Sequence, residues 1–484
     1  MKRALAGAAA LSVAACSFAP NYRRPDTVVT PEYRFAKPNE TSSVADLPWW
    51  EVFKDPVLQG LIRESLAANQ DLALAAARVD EARANVGIAK ADLYPQIAAS
   101  ANGAYGQPTS NKLQPGGKQQ ALYTASLSAS WELDLWGRVR NSRDAAFADL
   151  LATEDGRAAV VLSLVSGVAQ AYLELRALDL QLEIARSNTQ TRQGTLDLFQ
   201  NRAAGGIASD LEVNQALSDL AVTQAAIPQT EMLIWQKEHE LCVLLGRAPG
   251  PIPRGVALVD APMVPELPEG VPAQLLERRP DVLAAEQGVI AAGKRVGVAV
   301  ANRLPTLSLN GVIGLQAHTV PDAFTPDALA WSAGGGLLAP IFQGGRLSSA
   351  EEASRAVLTE TIAAYRKAVQ VALSDVANAA AAVIKQKDVR AAFEVQVKAT
   401  TDATSLALAR YEGGVSSYLD VLDAQRQLFN AQLSLANALR DELVAVVQLY
   451  RALGGGWQQV EPQPVAAAAG PASGRAPIPQ QSAP

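Results

Sequence analysis

Tyr123-Thr124-Ala125-Ser126-Leu127-Ser128-Ala129-Ser130-Trp131-Glu132-Leu133-Asp134-Leu135 alternates without interruption, apolar at every odd position and polar at every even one. Successive side chains of a strand point to opposite faces, so this segment has one face for an apolar medium and one for water. Roughly 9 to 11 tilted residues cross the hydrocarbon core of a bilayer, and 123–135 is long enough. Three weaker segments share the period. Ile97 to Tyr105 is built of small residues ending in Tyr105. Thr306 to Gln316 sets Leu307, Leu309, Ile313 and Leu315 against Thr306, Ser308, Asn310 and Gln316. Trp331 to Leu337 is Gly-rich. Polar, turn-rich stretches, Pro108 to Gln120 and Ala317 to Leu329, separate the members of each pair, which predicts two hairpins, over 96–136 and 306–342.

Four strands cannot stand alone in lipid, because both edges would leave backbone N–H and C=O groups unpaired in hydrocarbon. Single-chain barrels of this kind begin at about eight strands. Several copies of the chain are therefore expected to pool their hairpins into one closed barrel. A half-buried sheet in a water-soluble domain is the alternative. It does not account for Tyr123, Trp131 and Trp136, which gather toward the strand ends as interfacial aromatics do.

Outward from the hairpins, the chain repeats itself. Asp71-Leu72 and Leu93-Tyr94-Pro95 return as Asp281-Val282 and Arg303-Leu304-Pro305, at offset 210 (281 − 71 and 305 − 95). Gly137-Arg138, Gly205-Gly206-Ile207 and Leu211-Glu212-Val213 return as Gly345-Arg346, Gly413-Gly414-Val415 and Leu419-Asp420-Val421, at offset 208. A period this long marks a duplicated supersecondary unit and not a solenoid. Each copy contains a segment free of Pro, Val139 to Ala204 and Leu347 to Glu412. Apolar positions such as Val160, Leu164, Val168, Tyr172 and Leu175 recur in it at threes and fours. At 1.5 Å per residue each segment predicts a helix on the order of 100 Å long. The Gly-Gly pairs end these rods, and Ser209 or Ser416-Ser417, residues of N-cap type, start a returning antiparallel helix.

At the N-terminus, Met1-Lys2-Arg3, an apolar run from Ala4 to Leu11, and Val13-Ala14-Ala15-Cys16 form a secretory signal with a lipobox. Residues 1–15 are expected to be removed and Cys16 acylated, and Ser17 in place of Asp after the cysteine favours release to the outer membrane. The expected layout continues with an extended lipid-anchored arm over 16–48, a first repeat over 49–248, a Pro-rich crossover over 249–272, a second repeat over 273–456, and a disordered tail over 457–484, whose Pro, Ala, Gly and Gln cannot build a core. The fold class is α+β, internally duplicated.

Formal net charge is −6, and −8 once Lys2 and Arg3 are gone, which disfavours nucleic acid as a partner. No unbroken apolar run of about 18 residues follows Cys16. Cys242, the other of the 2 cysteines, reads as a buried thiol. With His239 and His318 the only histidines, a His/Cys metal site lacks raw material, and neither metal nor any cofactor beyond the lipid on Cys16 is expected. Gly288 to Arg295 approaches a phosphate-binding loop but carries Arg295 where Ser or Thr belongs, and no Gly-x-Ser-x-Gly elbow occurs. An enzyme is not indicated.

Cys16 with Pro20-Asn21-Tyr22-Arg23-Arg24-Pro25, Trp49-Trp50 with Phe53 and Asp55-Pro56, Glu277-Arg278-Arg279-Pro280-Asp281-Val282, and Tyr418-Leu419-Asp420-Val421-Leu422-Asp423-Ala424-Gln425-Arg426 resemble the TolC-like outer membrane factors, and most of all their lipid-anchored OprM/NodT branch. The resemblance runs from Cys16 to about Leu453. It implies a homotrimer in the outer membrane with a twelve-stranded barrel and an α-helical barrel crossing the periplasm. It also implies a periplasmic adaptor and an inner-membrane RND-type transporter as partners, and export of small molecules. A protein-secretion duct and a structural envelope lipoprotein are the alternatives. Leu419, Asp423 and Arg426, spaced i, i+4, i+7 on one helix face, match the family's periplasmic gate, with Leu and Asp as constricting rings and Arg in the network that holds the tip shut. At offset 208 the first repeat has Leu211, Gln215 and Ser218, so the charges of Asp423 and Arg426 occur in only one of the two tip hairpins.

Overall fold

A computed structural model of the chain describes residues 17–27, 54–106, 120–260 and 275–455. Its helices are α1 (Pro56–Ala68), α2 (Gln70–Ala91), α3 (Arg138–Ala204), α4 (Asp210–Leu244), α5 (Leu275–Arg278), α6 (Pro280–Ala301), α7 (Arg346–Glu412) and α8 (Tyr418–Ala452). The strands are β1 (Gln96–Gly106), β2 (Gln120–Leu133), β3 (Thr306–Ala317) and β4 (Leu329–Leu338). The fold is α+β and internally duplicated, with the long helices of the two copies equal in length. The rods α3 and α7 have 67 residues each, the returning α4 and α8 have 35 each, and α2 and α6 have 22 each. Helices before the hairpins are offset by 210 (280 − 70) and those after by 208 (346 − 138), so the second copy is two residues shorter between Thr306 and Gly345.

The strands form one antiparallel sheet in the order β1-β2-β3-β4, with β1 and β4 as its edges. Register places Ala99, Leu127, Ile313 and Trp331 in one cross-strand row, and Ala101, Ala125, Leu315 and Leu329 in another on the same face. Between them lies the row Ser100, Ser126, Gly314 and Ala330, on the opposite face. Gly314 is required there, because a β-carbon would come within 2.4 Å of the Ala125 carbonyl oxygen. The apolar rows are open to the surroundings, with Leu127 53%, Ile313 52% and Trp331 75% exposed. A one-residue slip would exchange the two faces entirely.

β2 stops two residues short of Leu135 although the alternation continues. Asp134 leaves the sheet to cap α3, accepting from the backbone N–H of Val139 (3.1 Å) and Arg140 (2.9 Å). A carboxylate at a helix start satisfies orphan donors and complements the helix dipole, and that gain outweighs one more ladder pair. The indoles of Trp131 and Trp136 donate to the carbonyls of Leu93 (3.0 Å) and Pro305 (2.7 Å) at the strand–helix junctions. The loop between β1 and β2 lies outside the described residues. Two 3-10 turns, Pro321–Phe324 and Pro326–Ala328, shape the loop between β3 and β4.

Each rod ends in the same turn. Gly206 and Gly414 take φ of 73° and 71°, and Ile207 and Val415 donate back to the carbonyls of Arg202 (2.8 Å) and Arg410 (2.9 Å). That is a left-handed C-terminal cap, where glycine escapes the Cβ penalty. Ser209 then starts α4 with a reciprocal capping box on Glu212. Ser417 starts α8 without a side-chain cap, and Asp420 stands where Glu212 stands in the first copy.

The main core gathers α1 and the middle of α3 with the far ends of α4 and α8 around Tyr172, Leu175, Leu241, Leu245, Val447 and Tyr450, all nearly inaccessible. Cys242 lies in it, fully buried. The motif residues tie this belt together. Asp55 caps α1 through Val57 N–H (2.8 Å) and also accepts from the Tyr172 hydroxyl (3.0 Å) and Val256 N–H (3.2 Å). Arg279 grips Asp281 through two nitrogens (3.0 and 2.7 Å), reaches Asp375 of α7 (3.1 Å), and donates to the Ala452 carbonyl at the end of α8 (3.1 Å).

Both rods contain an 18-residue window apolar enough, by length and composition, to cross a membrane, which a search for unbroken apolar runs passes over. In α3, 56% of that window is buried within the chain, so protein provides its apolar surroundings. In α7 the figure is 28%, which leaves an apolar flank uncovered by this copy.

Candidate gate and anchor sites

Past the Gly413-Gly414 turn, α8 begins with Tyr418 buried and Leu419 pointing out, 60% exposed. One turn on, Asp423 accepts from the Arg426 guanidinium (2.5 Å) and from the side-chain amide of Gln427 (2.6 Å). Arg426 and Asp423 keep 68% and 46% of their side-chain surface, so within one copy this is a solvated i,i+3 pair worth tenths of a kcal/mol. The structure thus places Leu419, Asp423 and Arg426 in the first two turns of α8, with the Asp and Arg joined.

Beneath them lies a constellation that sequence reasoning missed. Tyr418 packs 4.2 Å from Phe199 and 5.5 Å from Tyr411, ring centre to ring centre, and so joins the ends of α3 and α7 to the start of α8. Arg192 of α3, 3% exposed, lies 3.0 Å from the Asp219 carboxylate of α4 and donates to the Asp219 carbonyl (2.9 Å). Its guanidinium sits 5.5 Å over the Phe429 ring of α8. Burial lowers the Arg192 pKa and raises that of Asp219, against the pull each exerts on the other and that of Arg426 on Asp219. Both tip hairpins therefore carry a charged pair, the first at positions other than those matched to Asp423 and Arg426. The counterparts of Arg192 and Asp219 at offset 208 are Thr400 and Gln427, and the counterparts of Asp423 and Arg426 are Gln215 and Ser218. Each hairpin holds a pair at a different level, one buried and one exposed, so matching positions across the repeat could not reveal the first. An Arg within the apolar 3-4 pattern of α3 was the available signal.

Higher up, the seam between α3 and α8 carries amide pairs in place of ion pairs: Gln170–Gln448 (2.6 Å), Gln181–Asn437 (3.0 Å) and Asn188–Gln432 (3.0 Å).

Cys16 and residues 28–48 of the arm lie outside the described residues, but residues 17–27 do not. Ser17 Oγ donates to Asn141 of α3 (3.1 Å), and Phe18 packs 6.3 Å from Trp136. Tyr22 and Arg24 converge on Glu286 of α6, through the hydroxyl (2.5 Å) and two guanidinium nitrogens (3.0 and 2.9 Å). The arm is thereby strapped immediately beneath the sheet, at the level of the strand–helix junctions.

The stretch Gly288 to Arg295 is continuous helix within α6, with Lys294 paired to Asp144 (3.1 Å) and Arg295 paired to Asp149, so no loop cradles a phosphate. Among the described residues no group of three or more His, Cys, Asp or Glu is placed to hold a metal.

A sheet with one lipid-facing side and two open edges, carried on paired rods of about 100 Å, defines one stave of an oligomeric channel that spans both a membrane and an aqueous compartment. The outer membrane efflux protein model matches residues 61–247 and again 271–455, and the chain belongs to that family. Its two matches fall on the two repeats. The chain is 35% identical over 460 residues to the pyoverdine export outer membrane protein OpmQ of Pseudomonas putida, covering 93% of this chain and 97% of the relative. It superposes with TM-score 0.83 on the outer-membrane channel OprN, at 31% identity, covering 92% of this chain and 100% of that one. It superposes with TM-score 0.79 on the open state of the Neisseria gonorrhoeae MtrE outer membrane channel, at 30% identity, covering 91% and 99%. The chain is an outer membrane efflux component of the OprM/TolC type, in a family of conduits and not of enzymes.

Proposed function

We propose that three copies close one twelve-stranded barrel and one helical tunnel, forming a passive conduit for small molecules. A periplasmic adaptor and an inner-membrane RND-type transporter drive export through it, and acylated Cys16 anchors it. The observation that carries this reading is the sheet: an exposed apolar face, a polar face, and unpaired edges at β1 and β4, which lipid tolerates only in a closed barrel. Three times four strands gives twelve. A relative named for pyoverdine export supports a small-molecule cargo.

In this assembly Leu419 and Asp423 form rings at the periplasmic tip, and Arg426 with Gln427 holds each Asp423 in place. Three carboxylates about 6 Å apart in water repel by roughly 0.7 kcal/mol per pair, which makes the ring attractive to cations and dependent on its clamp. Single-channel recording in planar bilayers tests the reading. Asp423→Ala is expected to lower cation selectivity, and Leu419→Ala combined with Arg426→Ala to raise resting conductance. Wild-type behaviour in both would place the constriction elsewhere, and a protein that forms no channels would overturn the conduit itself.

A further inference from the structure

The open edges of the sheet have a counterpart that is already closed. The pair Gln96↔Ser130 between β1 and β2 returns as Thr306↔Leu338 between β3 and β4. β1 therefore maps onto β3 at offset 210 (306 − 96), and β2 onto β4 at offset 208 (338 − 130). β2 and β3 meet at the boundary between the two repeats, and that boundary is hydrogen-bonded within the chain. β4 and β1 hold the matching positions at the outer ends, where the sheet stops. Along these ends Ile97, Tyr105, Leu337 and Ile341 are 75%, 73%, 70% and 91% exposed.

In a closed ring of duplicated chains, boundaries inside a chain alternate with boundaries between chains. Each joint is head to tail, and near-identical units give both kinds the same geometry. We propose that β4 of one copy pairs with β1 of the next in the register of β2 with β3, the residue numbers exchanged by the two offsets. This rests on the reading that three copies close one barrel, and it adds which residues meet.

Ala129↔Gly311 then becomes Leu337 against the partner's Ala101 (129 + 208 and 311 − 210). Leu127↔Ile313 becomes Gly335 against the partner's Gly103, and Ser130↔Asn310 becomes Leu338 against the partner's Ser100. A slip of one residue would set lipid-facing side chains beside lumen-facing ones, so slips of two are the competing registers. Pro340 stands where the first repeat has Glu132, and proline has no N–H to give a ladder. The paired stretch therefore ends at Ala339 against the partner's Ala99, and Ile341 lies just beyond, beside the partner's Ile97. Tyr105 falls opposite Ala333 and diagonal to Trp331, within reach of its ring.

Directly opposed residues of antiparallel strands have Cα atoms about 4.5 to 5.5 Å apart, inside disulfide range, whereas diagonal neighbours at about 7 to 8 Å lie outside it. The test uses full-length protein in outer-membrane fractions oxidised with copper phenanthroline and run on denaturing gels without reductant. Leu337→Cys with Ala101→Cys is expected to give a covalent trimer, about tenfold more than Leu337→Cys with either Ala99→Cys or Gly103→Cys. Leu338→Cys with Ser100→Cys reads the same register from the lumen face and serves if the first pair assembles poorly. Each single variant is expected to stay unlinked, since Cys242 is buried. Preferential linking at Ala99 or Gly103 would overturn the register and leave the trimer standing. So would the absence of links in both matched pairs when the variants run as trimers on native gels. A wild-type protein that ran as a monomer on native gels would overturn both.

Discussion

Burial works against both charges of the Arg192–Asp219 pair, yet neither can be removed alone without leaving its partner stranded beside Phe429 and Tyr418. Truncating one member of a buried pair costs more than replacing both with apolar groups of similar volume. Arg192→Met and Asp219→Leu should therefore each lower hydrogen-exchange protection in the first tip hairpin about tenfold or more, while the double variant recovers most of it. Additive losses would show that the two residues act independently. Asp155 gives a second prediction at this scale. Desolvation, then the charges of Glu154 and Glu286, push its carboxyl up to about 6. Its unfolded value lies near 3.9, so the folded state binds the extra proton between about pH 4 and 6. Stability from this group is fully present below that window and lost as pH rises through it. Asp155→Asn is expected to raise the thermal midpoint at pH 8 and to leave it unchanged at pH 4.

Among the elements, the strands test the membrane assignment most directly. Leu127 lies between Ala99 and Ile313 on the exposed apolar face, and Ser128 between Ala98 and Val312 on the other. A lysine on the lipid face near mid-membrane costs on the order of 2 to 4 kcal/mol, whereas one facing the lumen changes mainly selectivity. Leu127→Lys should reduce the yield of assembled barrel in outer-membrane fractions, and Ser128→Lys should assemble normally with altered ion selectivity. Equal yields would overturn the register or the membrane assignment. The faces of β2 and β3 were legible because large residues alternate with Ser, Thr and Asn. Those of β1 and β4 were faint, because Ala98, Ala99, Ala101, Gly103 and Gly334 to Gly336 carry little polarity contrast, and register against β2 and β3 decides them. The rods were legible because nothing in them breaks a helix. The end of β2 was not, since Asp134 satisfies the alternation and also caps α3, and only the backbone shows which role prevails.

For the whole molecule, obligate association was readable from strand count and length, while the number three came from family resemblance, because no pattern in a single chain encodes how many copies close a ring. On the proposed acylation of Cys16, barrel closure still buries far more apolar surface than two acyl chains would, so Cys16→Ala is expected to lose incorporation of labelled fatty acid and still run as a trimer on native gels. Incorporation that continued would overturn the assignment of the acylated residue. The proposed gate was legible in part. Leu419, Asp423 and Arg426 form a spacing that a sequence displays, whereas Arg192 meets Asp219 only once the first hairpin has folded back on itself.

The matched dimensions of the two hairpins, 67 residues out and 35 back in each, govern how the conduit can vary in length. In the proposed trimer the six tip hairpins, equal in reach, would end in a level rim. Deleting seven residues from both arms of one hairpin would set alternate tips back by about 10 Å, at 1.5 Å per residue, and the proposed adaptor would meet three tips instead of six. The same deletion made in both hairpins keeps the rim level and shortens the tunnel evenly. Changes in the span between the membranes can therefore be accommodated only by edits made twice, at positions 208 residues apart, one for each repeat.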